Sequence, residues 1–311
     1  MTLIVQFQGR AALWPVWQTP LEAAFAEAGI DAALQFDADP ATVDVIVYSP
    51  HQREIEDFAA YPRCRLVQSL WAGVERIVTN RTLTQPLCRM VDPGLTQGMV
   101  EYVAGHVLRA HLGIDAILAA QTGTWAPVIP PLAADRPVAV LGLGALGTAC
   151  GQALAGLGFR VLGWSRTPKT VAGIDCHHGP EGLRAVLQEA QIVVTLLPAT
   201  PDTETTLNAE TLGWLPHGAT LINPGRGTLI DDAALLAALD TGQIAQATLD
   251  VFRTEPLPPE HPYWAHPRVT VTPHIAADTR PGTASRVVVE NIRRMLANEP
   301  LLHRVNRDAG Y

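Results

Sequence analysis

Val138-Ala139-Val140-Leu141 runs without a break into Gly142-Leu143-Gly144-Ala145-Leu146-Gly147, and residues 149–157 continue with helical character. No other stretch limits the fold as tightly. An apolar strand, a G-x-G-x-x-G turn and a helix, in that order, predict a dinucleotide-binding βα unit. The first glycine permits the tight turn, the second lets the backbone approach a pyrophosphate, and the third lets helix and strand pack closely. The leading helix amides then face the anion. Glycines in an ordinary βα turn are the competing explanation, and the surrounding sequence decides between them.

That sequence is a regular alternation. Apolar runs at 138–141, 160–164, 192–197, 219–222, 245–249 and 269–271 predict a six-stranded parallel sheet with helices between the strands. Upstream, runs at 3–7, 43–48 and 66–70 with helices over 21–28 and 52–59 predict a second, smaller α/β unit. A Pro-rich break at 127–137 separates the two series. A helix over 100–120 is long enough to bridge two lobes, and another is predicted over 284–297. The fold class is therefore α/β with two domains.

Charge and cysteine usage exclude several classes. Thirty Asp and Glu against 22 Lys and Arg, with no basic run, argue against nucleic acid as a partner. Cys64, Cys88, Cys150 and Cys176 form no metal-ligand pair and read as buried, reduced thiols. The N-terminus lacks a basic signal-peptide region, and no apolar stretch reaches the ~18 residues of a membrane span, so a cytoplasmic protein without a membrane partner is expected.

About 20 residues beyond the glycine turn, an NAD site places a carboxylate for the ribose 2′-hydroxyl. This chain has Trp164-Ser165-Arg166-Thr167 there, then Lys169. Hydroxyls and cations without an acid suit a 2′-phosphate, so NADP(H) is the expected cofactor and NAD(H) the alternative. A solvated basic turn is the bland explanation. Ligands of parallel sheets bind beyond the carboxyl ends of the strands. The residues found there are Leu197-Pro198, Asn223-Pro224-Gly225-Arg226, Asp250 and His274.

Together the segments Leu221-Ile222-Asn223-Pro224-Gly225-Arg226-Gly227, Leu249-Asp250-Val251-Phe252, Glu255-Pro256-Leu257 and Thr272-Pro273-His274-Ile275 resemble the D-2-hydroxyacid dehydrogenase family in order and spacing. Leu196-Leu197-Pro198 and Asp202 fit as well. Trp164-Ser165-Arg166, Thr279-Arg280-Pro281 and the terminal Gly310-Tyr311 bring the resemblance closest to its glyoxylate/hydroxypyruvate reductase A group. The likeness spans essentially the whole chain. It implies a Rossmann-type domain over 96–280 and a flavodoxin-like substrate domain built from 1–95 and 281–311. It also implies reduction of small 2-oxo acids, with glyoxylate and hydroxypyruvate as inherited substrates, and a homodimer.

By the same resemblance, Arg226 binds the substrate carboxylate, His274 is the acid/base and Glu255 charges and orients that histidine. The chemistry is coherent on its own terms. A 2-oxo acid needs an anion anchor, which a guanidinium fork supplies, and hydride arrival at the carbonyl carbon needs a proton donor poised near neutrality. Gly142, Gly144, Ala145, Leu146, Gly147, Leu197, Pro198 and Pro224 are expected around the cofactor. Asp250 either accepts the nicotinamide carboxamide or serves a turn. Trp71-Ala72-Gly73-Val74 resembles the family's carboxylate loop, with Trp71 either closing the pocket or packing. Arg280 is a second anion contact or a surface ion pair. Within the family, phosphoglycerate and formate enzymes fit less well. The first often carry an added regulatory domain, and the second replace the acidic partner that Glu255 retains. A dinucleotide-sensing corepressor is the non-enzymatic alternative.

Overall fold

In the computed structural model, which describes residues 2–49, 54–307 and Gly310, the chain divides into two compact units. The first comprises Met1–Leu95 and Asp278–Tyr311, the second Thr96–Ala277.

In the first unit the strands are β1 (Leu3–Gln8), β2 (Ala32–Gln35), β3 (Val45–Tyr48), β4 (Leu66–Ser69) and β5 (Leu87–Cys88). They pair in parallel in the order β2-β1-β3-β4-β5, the flavodoxin-like order. Parallel strands are covered on both faces, which explains their near-continuous apolar sequence. Helices Trp14–Glu27 and Pro281–Leu296 cover one face. Leu21 and Phe25 of the former, and Ala284, Val288, Val289, Ile292 and Met295 of the latter, pack with Val5, Phe7, Val45 and Val47. The spacing of 284, 288 and 292 is one helical stripe, and each large member removed from water contributes about 1.5–3 kcal/mol.

The predicted helix over 52–59 does not form. Residues 52 and 53 lie outside the described part. Beyond them the backbone is irregular until a 3-10 turn at Phe58–Ala60. Asp57 accepts from Ala59 N, and Phe58 N donates to Thr82 Oγ1, so local side-chain bonds replace the helical ladder.

The second unit holds β6 (Val138–Leu141), β7 (Val161–Ser165), β8 (Asp175–His178), β9 (Ile192–Thr195), β10 (Ala219–Asn223), β11 (Ile244–Leu249) and β12 (Val269–Val271). All pair in parallel in the order β12-β11-β10-β9-β6-β7-β8. The sheet thus has seven strands where six were predicted. The strand order reverses between β6 and β9, and that switch point is where such sheets bind ligands. The helix predicted over 100–120 starts earlier, at Pro93, because Asp92 accepts from the Gly94 and Leu95 amides. It ends at Leu112 where Gly113 turns left-handed at φ 67°, and a short helix Ile114–Ala119 follows. Met99, Val103 and Val107 bury its apolar stripe against Val138, Val140 and Val194.

No cysteine is paired. Cys64, Cys88 and Cys150 are buried, and burial pushes their thiols up to about 11, 12 and 12. Cys176 is only half-buried, because it sits on the edge strand β8. Among the described residues no helix is long and apolar enough to cross a membrane.

Candidate active site

The glycine turn follows β6 and opens helix Ala145–Gly156. Gly142 has φ +108°, and a Cβ there would lie 2.6 Å from the Leu196 carbonyl oxygen, so both backbone and space demand glycine. A Cβ on Gly147 would overlap the Gly142 carbonyl, which closes the turn on itself. Gly144 differs, since nothing lies within 4 Å of the position its Cβ would take. It is also the helix N-cap and supplies no side-chain cap, so the amides of the first turn, around exposed Ala145 and half-buried Leu146, face open space. This surface fits an anion that approaches backbone directly.

At the end of β7, Lys169 reaches this turn while Arg166 points to the loop beyond β9. Lys169 Nζ donates to the Leu143 carbonyl at 2.5 Å, and Arg166 pairs with Asp202 at 3.3 Å, both side chains being more than half exposed. Thr167 is exposed, whereas Ser165 is buried and donates to the Thr167 carbonyl at 2.9 Å, which shapes the loop. Trp164 Nε1 donates to Gly179 O and its ring packs on the core. No carboxylate ends β7 itself.

Beyond β9 and β10, a buried relay fixes the loop that carries Arg226. Thr195 Oγ1 donates to Asn223 Oδ1 at 2.5 Å, and the same oxygen accepts the Gly225 amide. Asn223 Nδ2 in turn donates to the Arg226 carbonyl at 2.9 Å. Pro224 is buried beside them, and on the neighbouring strand end Leu197 is buried while Pro198 O accepts Thr203 Oγ1 at 2.6 Å. Arg226 is half-buried, with Nη1 on the Gly225 carbonyl at 2.7 Å. The next residue, Gly227, has no room for a Cβ, which would overlap the Phe252–Arg253 backbone. The Arg226 loop therefore lies directly against the segment leading to Glu255. Arg253 braces the two by donating to the carbonyls of Thr228 and Ile230.

Glu255 Oε1 accepts the Phe252 amide at 2.9 Å, and Oε2 meets His274 Nδ1 at 2.7 Å. Burial alone would lift the Glu255 carboxyl. Hydrogen bonds from His274 and Phe252, with the charges of His274 and Arg226, overcome this and hold it below its ordinary value. His274 is shifted upward, first by its hydrogen bond to Glu255, against an opposing burial effect, with the charges of Glu255 and Asp250 adding and Arg226 subtracting. With Nδ1 engaged, Nε2 is the free end of the ring. Asp250 is fully buried and is spent on local structure. Its oxygens accept Thr272 Oγ1 and the amides of Ile275 and Ala276. These bonds are those of the turn role expected for it.

In the first unit, Trp71 packs partly on the core, its amide donates to Ser69 Oγ, and its carbonyl accepts from Met90 N. The Ala72, Gly73 and Val74 amides donate to no group among the described residues. Arg280 is exposed at the start of helix Pro281–Leu296, and the adjacent Thr279 Oγ1 donates to Leu70 O at 2.5 Å, joining that segment to the loop.

Residues 106–276 match the family model described as D-isomer specific 2-hydroxyacid dehydrogenase, NAD binding domain. The chain belongs to this family. A curated relative, glyoxylate/hydroxypyruvate reductase A of Yersinia enterocolitica, is 39% identical over 95% of this chain and 96% of its own length. Among solved structures, a D-isomer specific 2-hydroxyacid dehydrogenase from Xanthobacter autotrophicus Py2, in complex with NADPH and MES, superposes with a TM-score of 0.93 at 42% identity, covering 100% of both chains. The NADPH-dependent glyoxylate/hydroxypyruvate reductase of Sinorhizobium meliloti, in complex with NADP and sulfate, gives 0.86 at 33% identity, covering 100% of this chain and 99% of that one.

For this 2-hydroxyacid dehydrogenase the sequence named the charged groups but missed their supports. Asn223, Thr195, Arg253 and Thr272 hold the loops and were assigned no role. Asn223 carried a readable signal, an Asx residue at a strand end two positions before glycine, which is turn chemistry.

Proposed function

We propose that the chain is an NADPH-preferring reductase of small 2-oxo acids, glyoxylate and hydroxypyruvate among them, with Arg226, Glu255 and His274 as its catalytic residues. The observation that carries this reading is the 2.7 Å His274–Glu255 contact, with the Arg226 charge acting on both partners. The Arg226 guanidinium anchors the substrate carboxylate. His274 holds a proton at Nε2 and delivers it to the carbonyl oxygen as negative charge develops there, and Glu255 fixes the ring and keeps it charged. Bound NADPH supplies the hydride. The Gly142–Gly147 turn would hold its pyrophosphate, and Arg166, Thr167 and Lys169 would bind its 2′-phosphate. Residues 1–95 with 281–311 form the substrate domain, to which the unit boundary at Asp278 adds Arg280; in that unit the Ala72, Gly73 and Val74 amides and Arg280 are the anion-binding groups. Initial rates with NADPH and NADH against glyoxylate, hydroxypyruvate, pyruvate and phosphohydroxypyruvate test the assignment. No oxidation of either cofactor with any acid would leave a sensing role instead.

Cofactor preference follows from charge. Ser165→Asp with Arg166→Ala is expected to move kcat/KM toward NADH by more than about tenfold, since charge-assisted bonds contribute about 1.5–3 kcal/mol each. Equal use of the two cofactors by the wild type would refute the preference.

The reading extends to a cytoplasmic homodimer. Unpaired thiols suit a reducing compartment. Trp125 is 95% exposed, with Val128, Ile129 and Leu132 exposed beside it, an apolar run that a second copy would cover. Light scattering should give twice 33.4 kDa, and Trp125→Glu with Ile129→Glu should give the monomer. A wild type that is monomeric at micromolar concentration excludes the dimer.

A further inference from the structure

His274 has a left-handed backbone, φ +54°, which a histidine adopts only when its surroundings hold it there. The holder is Asp250. Its backbone carbonyl accepts the His274 amide at 2.9 Å, its Oδ1 the Ile275 amide at 2.9 Å and its Oδ2 the Ala276 amide at 2.8 Å. One residue thus takes the donors of three successive amides, starting at the histidine. The carboxylate is itself held from the far side. Thr272 Oγ1 donates to Oδ1 at 2.6 Å, and the Tyr102 hydroxyl lies 2.7 Å from Thr272 Oγ1. A carboxylate only accepts, so the single Thr272 proton goes to Asp250 and Tyr102 must donate to Thr272. Burial pushes the Tyr102 phenol up to about 12, so it keeps that proton at every working pH.

We infer that Tyr102 is a positioning residue for His274, acting in series through Thr272 and Asp250 to hold the ring against Glu255. The inference rests on the catalytic reading of His274 given above. Tyr102 sits on helix Pro93–Leu112, 170 residues from Thr272 in sequence, and the bond its hydroxyl makes is to Thr272. Hydrogen bonds in such a chain reinforce one another, and the buried carboxylate at its centre has no cation against it in the contacts it makes. Loosening the outer hydroxyl lets the 274–276 turn shift and lengthens the contact that raises the imidazolium. The charged and titratable groups facing His274 are Glu255, Asp250 and Arg226, and those around Tyr102 are Asp250, Arg109 and the His106 ring at 4.4 Å.

The test is an NMR titration of the His274 imidazole in the full chain, with kcat and NADPH affinity measured beside it. Tyr102→Phe removes one oxygen and Thr272→Val removes the relaying hydroxyl, while Thr272→Ser keeps it. Tyr102→Phe and Thr272→Val are expected to move the His274 midpoint down and to lower kcat about threefold to tenfold, with NADPH affinity changed by less than about twofold. Thr272→Ser should match the wild type. Because the groups act in series, the Tyr102→Phe, Thr272→Val double variant should be no slower than Thr272→Val alone. An unmoved midpoint in Tyr102→Phe and Thr272→Val, equal damage from Ser and Val, or effects that multiply in the double variant would each overturn the assignment. If the wild type reduces no 2-oxo acid, the catalytic reading fails while the titration still decides the relay. An active wild type with unmoved midpoints defeats the relay alone.

Discussion

His274→Ala is expected to lower kcat by about 10²–10⁴-fold while leaving NADPH affinity nearly intact, because in the proposed reading the glycine turn and the cations at the end of β7 would hold the dinucleotide without it. A histidine that only supported the fold would instead lower the melting temperature and preserve activity per folded molecule. The pH profile adds a second, independent reading. His274 is raised mainly by its hydrogen bond to Glu255, so the imidazolium persists to higher pH than in a free histidine. The reductive rate should therefore be full below that raised value and fall as pH rises through it, since the proton donor then disappears. Glu255→Gln removes the charge and weakens the bond, so the fall should come at lower pH. Profiles of kcat against pH for the wild type and Glu255→Gln that superimpose would show that Glu255 does not act through the ring.

Arg226→Ala should lower kcat/KM by about 10²–10⁴-fold, the loss expected when a bidentate, charged pair worth about 1.5–3 kcal/mol per bond is removed. Arg226→Lys should recover only part of this. A compact ammonium cannot keep the fork contact with a carboxylate and reach the carbonyl as well. The loss should appear in kcat as well as KM if the guanidinium stabilises the developing charge, and in KM alone if it only anchors the substrate. A lysine variant with near-normal kcat/KM would remove Arg226 from the site.

The glycine turn, the two α/β units and the strand-end charges were legible in the sequence because each is a local pattern: an apolar run, a turn residue, a functional group just past the run. What escaped was of two kinds. Edge strands gave no apolar run: β8 reads Asp-Cys-His-His and is largely exposed, and β5 is only Leu87–Cys88. β8 pairs with β7 alone and lacks the burial that writes a hydrophobic signature, whereas β5 is buried but, at two residues, too short to show one. The supports of the site escaped for a different reason. Thr195 and Asn223 are 28 residues apart, and Tyr102 and Thr272 are 170 apart, so their hydrogen bonds exist only once the sheet has brought the strand ends together. The early start of the helix at Pro93 has a local signal of its own. Asp92-Pro93-Gly94 carries an N-cap acid followed by proline at the first helical position.

The first unit is closed by helix Pro281–Leu296, which follows the whole of the second unit in the chain. On the ribosome, where N-terminal segments emerge first, Met1–Leu95 appears early but lacks Ala284, Val288, Val289, Ile292 and Met295, and the sheet face that these residues share with helix Trp14–Glu27 stays only partly covered until residues 281–296 have been made. Thr96–Ala277 has all its strands in hand before then. The order of synthesis is thus the reverse of the order of completion: the unit begun first is finished last, and during that interval the apolar residues that helix Pro281–Leu296 will cover are open to misassociation or to a chaperone.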